Sequence, residues 1–284
     1  MYKILCTLLA TAGILFAQAT HAQDKDAQPK KKKKEVVISN RGIIMRAVDS
    51  AKKAGSVDTT DNPWSSSASM DFGVNFLQDN TNYVAPKTVT HLNGSGVTNA
   101  TANLFDLKQN KSININLYWL KSYRALKTKG QRIYISSGLG MQFYNFRFKE
   151  NITYNRNPYS FAIDSVAFSK NKLAFNYLNV PLMVTFKTRL WQNKAHPKKD
   201  AWLVYGGGIT AGYAISIWTK QVSGERGKVK VHDEFDFNRF NSCVTGEIGI
   251  EGVIRLYGTY QLTNLYNNGF DMHPISLGIK ISGI

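Results

Sequence analysis

Residues Ile275 to Ser282 alternate without a fault. Ile275, Leu277, Ile279 and Ile281 fall on one side of an extended chain, and Ser276, Gly278, Lys280 and Ser282 fall on the other. A period of two means a strand with one apolar and one polar face. The same alternation predicts strands near 69–76, 113–119, 132–143, 172–187, 201–219, 237–253 and 255–265, with the last near 274–284. Connections after the first, third, fifth and seventh strands are mostly long, and those after the second, fourth and sixth are shorter. Amphipathic strands of roughly 10 residues with this loop asymmetry are the pattern of a transmembrane β-barrel whose short turns face the periplasm. The expected fold is all-β: an antiparallel up-and-down transmembrane barrel of about eight strands over 68–284.

The chain before the barrel divides in two. Residues 1–22 read as a signal peptide, with Lys3 as the basic start, Ile4 to Ala17 as the apolar run and Thr20-His21-Ala22 as the cleavage site. Residues 23–67 read as a basic periplasmic leader, partly disordered around the lysine run Lys30 to Lys34. Ile43, Ile44, Ala47, Val48 and Ala51 have helical spacing, and Ser39 or Asn40 could cap the start, so a short helix is expected over 41–54. No segment is apolar for long enough to predict a helical span.

Mean hydropathy is −0.27, the value of a soluble protein. A barrel tolerates this because only alternate residues of each strand meet lipid. The net charge of +17 is compatible with nucleic acid, anionic lipid or an acidic partner, and export argues against the first. Of two cysteines, Cys6 lies in the signal, so Cys243 has no partner for a disulfide within the mature chain.

Eight strands enclose a lumen just wide enough for side chains to fill. Its polar face should then form a network, with buried charges paired to one another. Asp71, Glu247 and Glu251 are the expected lumenal acids, and Arg255, Lys280 and Arg132 the bases. Pro181 lies inside the fourth strand and predicts a bulge there. Trp119, Tyr123, Trp191, Trp202, Trp218, Tyr257 and Tyr266 are expected in the interfacial girdles. Two basic turns carry Lys121, Arg124, Lys127, Lys129 and Arg132, and Lys187, Arg189, Lys194, Lys198 and Lys199. They are either solvated flanking charge or a periplasmic surface for an acidic partner.

The run Phe175-Asn176-Tyr177-Leu178-Asn179-Val180-Pro181-Leu182 resembles the mid-barrel signature of the PorT-like outer-membrane β-barrel proteins, within the OmpA-like size class. Gly138-Leu139-Gly140, Gly206-Gly207-Gly208 and the ending Ile275 to Ile279 are similar too. Two positions depart from the pattern: Ile284 ends the chain where many such barrels have an aromatic, and Asn179 stands where an acid is common. The resemblance implies the cell outer membrane and a structural or interaction role, as an accessory of a secretion or envelope complex. It supplies no catalytic residue and no cofactor, so no enzyme activity is expected. The implied partners are the bilayer and a periplasmic or envelope protein, without nucleic acid.

Three alternatives stay open. One is a narrow channel or small-ligand-binding barrel. Another is a surface hydrolase built on His91, on His232 with Asp233, or on His273 with Asp271. The last is a soluble lipocalin-like barrel, which would put the apolar faces inside. The scattered histidines, His196 included, predict no metal site.

Overall fold

A computed structural model describes residues 33–39, 42–48, 62–93, 102–128, 130–155, 159–191, 200–252, 254–267 and 269–282. Residues 1–32, 40–41 and 49–61, which include the whole of the expected signal peptide, lie outside the described residues. Within the leader, β1 (Lys33–Ser39) and β2 (Gly42–Val48) form a two-stranded sheet. The helix expected over 41–54 is therefore a strand over its first half. Apolar residues at 43, 44, 47 and 48 fit either period over so short a run. The β-branched density of Val36-Val37-Ile38 and Ile43-Ile44 favours strands.

The remaining elements are β3 (Trp64–Asp79), α1 (Pro86–Asn93), β4 (Ile113–Lys127), β5 (Gln131–Arg147), β6 (Ile152–Asn155), β7 (Ser160–Ile163), β8 (Lys170–Trp191), β9 (Ala201–Ser223), β10 (Gly227–His232), β11 (Phe240–Ile250), β12 (Arg255–Gln261) and β13 (Met272–Ser282). Eight strands close on themselves in the order β9-β11-β12-β13-β3-β4-β5-β8, with β8 pairing back to β9. Every pairing is antiparallel. β10 adds a short strand to the far end of β9, and β6 pairs with β7 within the loop 148–169. Closure gives each strand two neighbours, which is the only way strands satisfy their backbone groups in hydrocarbon.

The faces follow the alternation. Phe72, Trp119, Leu139, Leu182, Ile209, Ile248, Leu256 and Leu277, one from each barrel strand, point outward and are 46% to 62% exposed. Asp71, Asn116, Gln142, Thr185, Thr210, Thr245, Thr259 and Ser276, again one from each, are buried inside. A soluble barrel of lipocalin type would reverse these two sets.

Three details differ from expectation. β8 keeps its register with both neighbours at Pro181, and its irregularities against β9 lie at Asn176/Tyr177 and Arg189/Trp191. The pairing of β8 with β5 lapses between Leu182 and Asn179 without inserting a residue. A missing N–H interrupts a ladder without requiring an extra residue. Ser137 Oγ donates to the Pro181 carbonyl at 2.9 Å beside that gap. Trp202, Tyr257 and Tyr266 are buried rather than part of a girdle, whereas Trp119, Tyr123 and Trp191 are exposed. β13 begins at Met272, so His273 lies in a strand and not in the preceding loop.

Candidate functional site

The lumen is the site, and it is built in layers. Nearest the short turns is an ionic layer. Glu247 Oε2 lies 2.9 Å from Lys280 Nζ, and its Oε1 accepts from Arg255 Nη1 at 3.3 Å. Lys280 also lies 3.7 Å from Asp71, which accepts from Asn116 Nδ2 at 3.3 Å. Lys187 Nζ donates to Glu251 at 3.0 Å. Three carboxylates thus meet three cations. Arg255 and Lys280 stand directly opposite each other across β12 and β13, and Lys280 stands opposite Asp71. Two cations facing one another repel; Glu247, reaching over from β11, bonds both.

Lys187, expected in a periplasmic turn, has its side chain buried inside β8. Its signal was parity: Lys187 follows Met183 and Thr185 at a spacing of two. Arg132 does not join the ion pairs of this layer. It stacks over Trp202, with its guanidinium carbon 4.4 Å from the ring centroid, and Arg189 approaches the same ring at 5.3 Å. Arg189 also pairs with Asp200 at 3.6 Å. Lys121 sits over the Trp64 ring at 5.0 Å, while Arg124 is half-buried and Lys127 exposed near the end of β4. Lys129, Lys194, Lys198 and Lys199 lie outside the described residues, as does His196.

Above the ions comes a layer of neutral polar and small residues. Tyr257 OH donates to Asn114 Oδ1 at 2.8 Å, Gln142 donates to Tyr118 OH at 3.0 Å, and Ser276 donates to Asn75 at 2.7 Å. Two glycines make this layer possible. A Cβ on Gly140 would lie 2.4 Å from the Tyr118 ring, and one on Gly73 would lie 2.6 Å from Tyr257 OH. Cys243 is fully buried here.

The long-loop end is filled by aromatic side chains. Tyr144, Phe146, Phe175 and Tyr177 come from the strands. Leu92, Leu104, Phe105, Phe148, Phe235, Phe237 and Phe270 come from the loops folded over them. Phe237 packs edge-on against Phe175 at 5.0 Å and meets the Tyr266 ring at a tilt, 4.7 Å away. Tyr266 and Tyr154 share a hydrogen bond of 2.9 Å between their hydroxyls. The sequence predicts these loops only as long external connections. Their aromatics have no period, so nothing in the pattern announced a cap.

Among the described residues, the candidate hydrolytic histidines do not assemble a nucleophile. His273 Nδ1 faces the Gln261 carbonyl and Nε2 faces Asp271, both at 2.9 Å, so neither nitrogen faces a hydroxyl or thiol. His232 is exposed, its ring 6.2 Å from that of Trp218. The side chain of His91 lies outside the described residues. Among the described residues, no group of three or more His, Cys, Asp or Glu is placed to hold a metal.

A closed eight-stranded ring with lipid-facing apolar residues and a packed polar lumen defines an outer-membrane β-barrel. Its short-turn end, where the barrel chain also begins and ends, is then periplasmic. No family model and no curated protein matches the chain. Seven solved chains match, among them the attachment invasion locus protein Ail of Yersinia pestis. That match has a TM-score of 0.25 at 10% identity and covers 76% of this chain and 97% of Ail. The class assignment rests on this chain's own sheet and surface.

Proposed function

We propose that this is a non-conducting, PorT-like outer-membrane barrel with a structural or interaction role, an accessory of an envelope or secretion complex. The observation that carries this reading is the filled lumen. The cavity among Ser69, Leu120, Ser136, Met183, Thr185, Glu247, Arg255 and Lys280 measures about 10 Å³. That is room for about one water molecule. A barrel sealed by ion pairs at one end and aromatics at the other has its outer surfaces left for work. The PorT-like run Phe175 to Leu182 lies in β8, with Pro181 facing inward.

Planar-bilayer recording tests the sealed lumen. The purified chain is expected to give no stable current steps, and reproducible ohmic steps from folded protein would overturn the reading in favour of a channel. The interaction role predicts that a protein co-purifies from envelopes with the wild-type chain. That protein should be lost when Lys121, Arg124 and Lys127 are changed to Glu. A partner set unaffected by those changes would count against a basic periplasmic docking face.

A further inference from the structure

Six cations stand together on the outward face of the barrel wall at its long-loop end. Arg147 is directly opposite Lys172 across β5 and β8, Lys172 is opposite Lys220 across β8 and β9, and Lys220 is opposite Lys230 across β9 and β10. One row further out, Lys170 and Lys228 flank Val222 from either side. One row toward the barrel middle, Trp218 is flanked by Ala174 and His232. Four strands thus present an unbroken row of like charge. Like charges directly opposite one another destabilise a sheet. Among the described residues, no ion pair relieves the row: the nearby loop pairs, Arg226 with Asp164 and Arg239 with Glu234, leave it aside.

The position of the row says what would neutralise it. The cations share their face with the lipid-facing residues of the same strands, such as Leu178 of β8 and Tyr213 and Ile215 of β9. They begin where that apolar surface stops. Trp218 marks the boundary, with Lys172 and Lys230 over its ring at 4.5 and 4.3 Å. Tryptophan and long basic side chains are the groups that settle at the headgroup level of a bilayer. A lipid at this row would set its acyl chains against the barrel belt and its headgroup beside Trp218.

We propose that Arg147, Lys172, Lys220 and Lys230, with Lys170 and Lys228 behind them, form a binding site for the phosphorylated headgroup of an outer-leaflet lipid. Phosphate oxygens between opposed ammonium groups convert the repulsion of the row into charge-assisted hydrogen bonds. Trp218 holds the register of the headgroup against the wall.

Native mass spectrometry of the full chain in detergent, exposed to bisphosphorylated lipid A or to phosphatidylcholine, tests the site. Wild-type protein should retain the phosphorylated lipid and not phosphatidylcholine. The K172E/K220E/K230E variant should retain about tenfold less, whereas K149E, on an adjoining loop, should match wild type. Heat-modifiable migration confirms folding, and K220Q/K230Q, with a smaller expected loss, serves if the triple variant does not fold. Undiminished retention by the folded variants would overturn the site. So would equal retention of both lipids, or displacement of the phosphorylated lipid by inorganic phosphate alone.

Discussion

At the periplasmic end of the lumen, Asp71, Glu247 and Glu251 meet Lys187, Arg255 and Lys280. At the external end, Phe146 and Phe175 meet Phe237, Tyr266 and other residues carried in by the loops. Both ends are filled by side chains, but they are stabilised differently. The ionic end gains little net energy, because each charge lost its hydration on entering and recovers it only through its partners. Its contribution is mutual dependence: Glu247 holds Arg255 and Lys280 at once, so the three strands that carry them are fixed in one register. The aromatic end gains by burial itself, and its members are replaceable to the extent that neighbours can close the gap. The difference also separates wall from cap. The ions join strands to strands, whereas the aromatics join strands to loops.

The largest effect should come from unbalancing the ionic end. Glu247→Leu would leave Arg255 and Lys280 facing each other with their shared carboxylate gone. We expect a loss of about 3–5 kcal/mol, read as a lower urea midpoint in detergent micelles. Replacing Asp71, Glu247, Arg255 and Lys280 together with apolar residues of similar volume should recover most of that loss. If the fourfold variant were as unstable as the single one, the ions would be contributing net stability, and the contrast drawn above would fail.

Phe237→Ala should come next, at up to about 3–5 kcal/mol if the surroundings do not collapse. Phe237 is 1% exposed and sits between Phe175 and Tyr266. Because it belongs to a loop, the damage should be local. Hydrogen exchange should rise in 148–169 and 224–239 while the β12–β13 ladder stays protected. Loss of protection in the ladder as well would show that wall and cap unfold together. Tyr257→Phe, in the neutral layer between them, removes one buried bond to Asn114 and should cost about 1–3 kcal/mol. Its urea midpoint should fall between wild type and Glu247→Leu.

These two ends were not equally legible in the sequence. The wall was readable because lipid on one side and polar packing on the other impose a strict period of two, which Asp71, Glu247, Arg255 and Lys280 all obey. Lys187 obeys it too, but lies close to a run of basic turn residues. The strand outlasts its apolar signal there, so composition hid the parity. The cap obeys no period, since loop residues such as Phe105, Phe235 and Phe270 reach the core by individual routes. The cationic row on the outer wall needed strand pairing. Lys172, Lys220 and Lys230 are far apart in the chain and meet only once β8, β9 and β10 are in register.

The smallest effect belongs to the cap's rim and depends on pH. Asp164, in the loop between β5 and β8, accepts the Val166 N–H at 3.0 Å and both arms of the Arg226 guanidinium, as well as the Thr153 hydroxyl at 3.2 Å. The Val166 N–H, and next the hydrogen bonds from Arg226, hold its carboxyl below the ordinary carboxylate range. A carboxyl depressed in the folded state adds stability above its unfolded value of about 3.9. That stability is lost as pH falls through the lower folded value. Exchange in the β6–β7 hairpin should therefore rise as pH drops from about 5 to about 3, once corrected for intrinsic rates. The Asp164→Asn variant should show the faster exchange already at pH 5, with a flatter response below it. A hairpin equally protected in both proteins at pH 5 would mean that aromatic packing through Tyr154 alone holds the rim. The ionic style of construction would then be confined to the periplasmic end.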